Sequence, residues 1–201
     1  MNTTGGLPLF LHGKQIFSDY QLIGSDENAL TFALGHCLSR DRKFLSAFLK
    51  KCQFKGVTSD AEVHLQKKER ESKKKRDSGI VDLEIIIHDR LQLIVEAKVG
   101  GDYPTIDQIR KYIKRLDRGI ESKVIVLTVI TDDKAKNNLR RQFRKKIGFL
   151  IWSDILGLSK KLAVQDDSTF NLRTLSTFMK EVYDMSINAQ EEVWIVPLSI
   201  K

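Results

Sequence analysis

This chain has few of the residues that build a covalent or metal-clipped scaffold. Cysteine occurs only at Cys37 and Cys52, too few for a disulfide framework and without C-x-x-C spacing, so both read as buried reduced thiols. The four histidines, His12, His36, His64 and His88, show no partner spacing, which argues against zinc. No apolar run reaches the ~18 residues needed to cross a bilayer, and Leu7 to Leu11 lacks the basic start and length of a signal peptide. A cytoplasmic protein with no membrane partner is therefore expected. Repeats, low-complexity tracts and a linker able to split the chain are missing as well. Acids are outnumbered: 26 Asp+Glu against 34 Lys+Arg give 34 − 26 = +8 and a pI near 9.4. Such a balance suggests a polyanionic partner but names no reaction.

What is present suffices for one core. The 201 residues are 41% hydrophobic and include 10 Phe, within the size of a single domain, read here as 1–201. The bases cluster: Lys67 to Arg76, Lys134 to Lys146, and Arg110, Lys111, Lys114, Arg115 and Arg118 on one expected helix. Each run alone reads equally as a solvated face or loop. Three in one small domain favour a phosphate backbone, with Lys73, Lys74, Lys75, Arg76, Lys111, Arg140, Arg141 and Arg144 as candidate contacts. Aromatics are not interleaved with them, so the stacking platforms of single-strand binders are not evident.

Apolar spacing orders the elements. Ser25 is placed to cap a helix carrying Leu30, Leu34 and Leu38, and a second helix carries Phe44, Leu45, Phe48 and Leu49. Ala61, Val63 and Leu65 alternate with polar residues as a strand does. Strands are expected over 80–87, 91–99, 124–130 and 147–152, with helices opening at Pro104 or Thr105 and covering 132–145. Ser153 reads as the cap of a short helix, Leu172 to Val182 as a long closing helix, and Val193 to Leu198 as an edge strand.

Strands 80–87 and 91–99 carry the chemistry. Their odd positions are apolar, while Asp82, Glu84, Gln92, Glu96 and Lys98 occupy even ones. With His88-Asp89-Arg90 as an odd-length turn, Ile87 pairs with Leu91 and Asp82 faces Glu96. An even loop would put the two acids on opposite faces. Opposed carboxylates repel unless a cation lies between them, and a hard, oxygen-seeking ion such as Mg²⁺ removes the conflict. The triplet Glu96-Ala97-Lys98 alone says little, because [Asp/Glu]-x-Lys recurs at Asp41, Glu71, Glu121 and Asp132. An ion-paired, exposed hairpin face is the competing reading.

Asp82 followed fourteen residues later by Glu96-Ala97-Lys98 resembles the PD-(D/E)xK nuclease superfamily, with Val81 in place of the proline of its name. Gln108 and Tyr112 on the next helix, Glu27 in the first helix and the element order extend the resemblance over roughly Ser25 to Leu156. It implies an α/β restriction-endonuclease-like fold: a mixed central β-sheet flanked by helices, an N-terminal helical segment and a C-terminal helix. The core would span about 25–156, with 157–201 a helical and edge-strand extension.

It also implies a Mg²⁺-dependent deoxyribonuclease, with Mn²⁺ substituting. Asp82, Glu96, the Ala97 carbonyl and Glu27 would hold the metal. Lys98 would contact the scissile phosphate and orient or activate water, Gln108 would position water or phosphate, and Tyr112 would lie beside the nucleic acid. Glu84 reads equally as a further ligand or as a partner of a nearby base. Glu27 in a first helical turn and Thr105-x-x-Gln108 also have purely local readings, as a dipole partner and a capping box. By analogy the setting would be restriction, repair or antiviral defence, as a homodimer or a subunit of a larger complex. The alternatives are RNA cleavage and a non-catalytic nucleic-acid-binding module on the same fold.

Overall fold

Two strands whose polar and apolar residues alternate in phase form the centre of the molecule. The computed structural model describes residues 9–11, 14–16, 27–54, 60–68, 80–165 and 172–180. In it β4 (Ile80–Ile87) and β5 (Leu91–Ala97) pair antiparallel, from Ile87 opposite Leu91 to Leu83 opposite Val95. The turn between them has the odd length on which the opposition of Asp82 and Glu96 depends. Asp89 takes the left-handed φ of 57° that a short hairpin needs and Asp tolerates, and the Arg90 amide donates to the Ile87 carbonyl.

Chain order supplies the remaining elements: β1 (Leu9–Leu11), β2 (Lys14–Ile16), α1 (Glu27–Arg40), α2 (Arg42–Lys51) and β3 (Ala61–Lys68) before β4. After β5 come α3 (Ile106–Arg115), β6 (Glu121–Thr128), α4 (Asp133–Phe143), a 3₁₀ turn at Arg144–Lys146, β7 (Ile147–Ile151), α5 (Trp152–Gln165) and a helix over 172–180, α6. Strands β1 and β2 form a separate antiparallel pair. The main sheet has the order β3-β4-β5-β6-β7, antiparallel up to β5 and parallel from β5 through β7, hence mixed.

Helices cover both faces of this sheet. Leu83, Ile85, Leu93 and Val95 point into a core with Leu30 and Leu34 of α1, Phe44 and Phe48 of α2, Ile155 of α5 and Phe178 of α6. Ile94, Val124 and Val126 pack on the other side against Ile109, Tyr112 and Leu116 around α3 and Leu139 of α4. Two-sided burial explains why β6 reads as an unbroken apolar run. Gly35 permits the close approach of α1 to the sheet, since a Cβ there would lie 2.6 Å from a Leu65 methyl. Leu34 is fully buried in this layer, so Leu34→Ala is expected to lower the free energy of unfolding by roughly 2–5 kcal/mol, measured by urea titration.

Several boundaries differ from the sequence expectation. Asp132 caps α4 by accepting from the Lys134 and Ala135 amides, so that helix starts one residue later. Strand β5 ends at Ala97 rather than 99. Helix α5 starts at Trp152, without a Ser153 cap, and runs to Gln165 because Ile155 and Ala163 are buried along it. Ser25, the basic segment 69–79 and Val193 to Leu198 lie outside the described residues.

Candidate active site

The site forms where β4 begins and β5 ends. Leu83 opposite Val95 sets Asp82 across from Glu96, and the Ala97 amide donates to Asp82 Oδ2 at 2.9 Å. One strand step on, Lys98 Nζ lies 2.8 Å from Glu96 Oε1 and 3.0 Å from Glu27 Oε1 of α1. Helix α3 supplies the fifth group. Thr105 accepts from the Gln108 amide and so caps the helix, but the Gln108 side chain does not close a capping box. Its Nε2 donates instead to Glu96 Oε1 at 2.5 Å and lies 3.3 Å from the Tyr112 hydroxyl.

Electrostatics oppose this arrangement in the absence of a cation. Glu96 is 1% exposed, and its Oε2 has no hydrogen-bond partner among the described residues. A buried carboxylate oxygen left open costs free energy unless a cation or donor meets it. Burial and the neighbouring Glu96 push the Asp82 carboxyl up to about 7. Burial alone would favour a neutral Lys98, but Glu96 and Glu27 outweigh it and hold the ammonium above the usual lysine range. Two opposed acids with one open oxygen and a fixed ammonium beside them suit a hard divalent cation. Asp82 and Glu96 would hold it; Glu27 Oε1 and Glu96 Oε1 both lie against Lys98, and no cluster of three or more His, Cys, Asp or Glu able to hold a metal occurs among the described residues.

The other candidates take varied places. Glu84 is 2% exposed and accepts from Gln92 Nε2 at 2.7 Å. On the even face of the hairpin Glu84 and Glu96 are buried and Asp82, Gln92 and Lys98 half-buried, so this is not the exposed face of the competing reading. Tyr112 corrects an expectation. It is 2% exposed, burial raises its hydroxyl pKa, and that hydroxyl donates to the Ile80 carbonyl, so it braces Gln108 and β4 rather than meeting nucleic acid. Lys111 on α3, Arg140 and Arg141 on α4, and Arg144 just beyond it are exposed, whereas Lys73, Lys74, Lys75 and Arg76 lie outside the described residues.

Trp152 was not legible as a site residue. Its indole Nε1 donates 3.1 Å to the Lys98 carbonyl, while the Lys98 amide donates to the Leu127 carbonyl of β6 at 2.8 Å. The backbone that carries Lys98 is thereby pinned from both sides. Trp152→Phe leaves that carbonyl unpaired, so a loss of roughly 1–3 kcal/mol is expected in urea unfolding. Gln66, opposite Asp82 with φ 46°, donates to Asn28 next to Glu27 and fixes the rim on that side. Only the β-strand pattern marked Gln66, and nothing in the sequence linked it to Asn28.

A family match covers these elements: residues 25–191 fit the PD-(D/E)XK nuclease superfamily. More than half of the chain is included, and the chain belongs to that superfamily, whose restriction-endonuclease-like core its mixed sheet and flanking helices follow. Nuclease chemistry on a nucleic acid, typically with divalent metal ions, is the activity this membership carries. Comparison with curated proteins and with solved structures gave no match. Among the described residues no helix is long and apolar enough to cross a membrane.

Proposed function

We propose that the chain is a Mg²⁺-dependent deoxyribonuclease that hydrolyses phosphodiester bonds beside Lys98, with Mn²⁺ able to substitute. One observation carries the reading: two opposed carboxylates, Asp82 and Glu96, with Glu96 Oε2 buried and unpartnered among the described residues and the Lys98 ammonium 2.8 Å from Glu96 Oε1. Asp82 and Glu96 would hold a divalent ion there, which would supply Lewis-acid polarisation of the phosphate and a lowered pKa for the attacking water. Asp82 and Glu96 form its seat, and the Ala97 carbonyl lies on the same strand end.

Lys98 acts as a cation. Glu96 and Glu27 hold its ammonium above the usual lysine range, and the charge is placed to stabilise negative charge developing on the phosphate and to orient the attacking water. Glu27 aims the ammonium, and Gln108, braced by Tyr112, orients Glu96. Exposed Lys111, Arg140, Arg141 and Arg144, together with Lys73, Lys74, Lys75 and Arg76, supply sequence-independent grip on the phosphates. The test is incubation with supercoiled plasmid, linear duplex, single-stranded DNA and RNA, each with Mg²⁺ or EDTA. Cutting of DNA in Mg²⁺ alone is expected; cutting of RNA alone would overturn the DNA assignment.

A further inference from the structure

The chain carries a basic concavity away from the acids of the candidate active site. A cleft of about 790 Å³ opens at the start of β6 and β7, lined by Lys51, Lys123, Arg140, Arg144, Lys145 and Lys146 against the single acid Glu121. Its Glu121 and Ser122 stand opposite Leu91 and Gln92, and so lie roughly 13–17 Å back along β5 from Glu96. The volume falls within that of discrete ligand sites.

Its cations divide into fixed and open ones. Lys51 pairs with Asp154, Lys123 donates to the Cys52 carbonyl and lies over the Phe54 ring, and Lys146 donates to Ser122. Arg140 lies over the Phe149 ring, which leaves its guanidinium edge available. The side chains of Arg144 and Lys145 have no partner among the described residues. The Arg144 backbone is also held at φ 47°, ψ −122°, a conformation that glycine adopts freely and arginine only under strain. Strain and unneutralised like charge meet at one wall of one cleft, and an anion there relieves the repulsion.

We infer that this cleft is a second phosphate-recognition site, taking a ligand with two or more linked phosphates across Arg140, Arg144 and Lys145. Guanidinium forks and lysine point charges suit phosphate oxygens. The ligand is either a free oligophosphate or a stretch of polynucleotide backbone. The polynucleotide source rests on the nuclease reading above, whereas the anion site does not.

The full chain is titrated with inorganic tripolyphosphate in EDTA by calorimetry, and with a labelled 30-mer duplex by anisotropy. Arg144→Gly combined with Lys145→Gln removes both open cations and relieves the backbone, so its unliganded melting temperature is expected to equal or exceed that of the parent. Tripolyphosphate is expected to bind the parent and Asp82→Asn alike, and the double variant at least tenfold more weakly. Duplex weakened in parallel identifies the backbone as occupant, and duplex unchanged identifies a free oligophosphate and removes Arg144 from the duplex grip proposed above. Equal tripolyphosphate binding by parent and double variant, or loss of binding in Asp82→Asn, overturns the site. A protein that cuts nothing still gives this answer, because no arm requires cleavage.

Discussion

Lys98→Met is expected to lower the cleavage rate by roughly 10²–10³-fold while leaving duplex binding nearly unchanged, because its ammonium stabilises charge that appears only in the transition state. Both kcat and kcat/KM should fall together. The geometry makes the effect large. Lys98 Nζ is held within 3.0 Å of Glu96 and Glu27, and its backbone is fixed by Trp152 and Leu127, so its ammonium is set in place before substrate arrives. Lys98→Arg should recover only part of the rate, since a planar fork does not occupy the position of a compact ammonium. Single-turnover kinetics on a labelled duplex gives the split between binding and chemistry.

Asp82→Asn is expected to stabilise the metal-free protein while abolishing cleavage. Asp82 is pushed up to about 7 in the fold, against an ordinary value of 3.8, by burial and by Glu96. The folded state therefore binds that proton more tightly than the unfolded chain, and this carboxyl removes stability as pH rises from about 4 to 7. Asparagine keeps an acceptor for the Ala97 amide and removes the charge. In EDTA at pH 8 the variant should melt at least about 2–4 °C above the parent, the shift that 1 kcal/mol makes in a domain of this size. The difference should close near pH 4. Mg²⁺ should raise the melting temperature of the parent at pH 8 and not that of Asp82→Asn. A parent that melts higher than the variant in EDTA at pH 8 would mean that the two acids do not conflict.

Much of the site was legible because side-chain direction in a hairpin follows from counting. Once His88-Asp89-Arg90 formed a turn of odd length, the phase of Asp82 and Glu96 was settled, and Lys98 followed one step on. Gln108 required more, since Thr105-x-x-Gln108 fits a capping box equally well, and only packing of α3 over β5 sends its carboxamide to Glu96. Tyr112 was expected to share the face of Gln108 beside the nucleic acid; it does share that face, but its i+4 relation could not show the cover that β4 provides. Trp152 and Asn28 carried no local signal. Their contacts join elements far apart in the chain, and no period within either element encodes them. The edge of β5 and the length of α5 likewise depended on tertiary burial rather than on the local pattern.

Cleavage by purified protein in Mg²⁺ and in EDTA, with Asp82→Asn, Glu96→Gln and Lys98→Met alongside, tests the central claim most directly. Cutting by the parent is expected in Mg²⁺ or Mn²⁺, none in EDTA, and none detectable or a fall of at least about 10²-fold in each variant. Nicked circles would mark internal cutting, and loss of linear duplex alone would mark cutting from ends. Full-rate cleavage by Lys98→Met, or no cleavage of any nucleic acid by the parent in either metal, would contradict it.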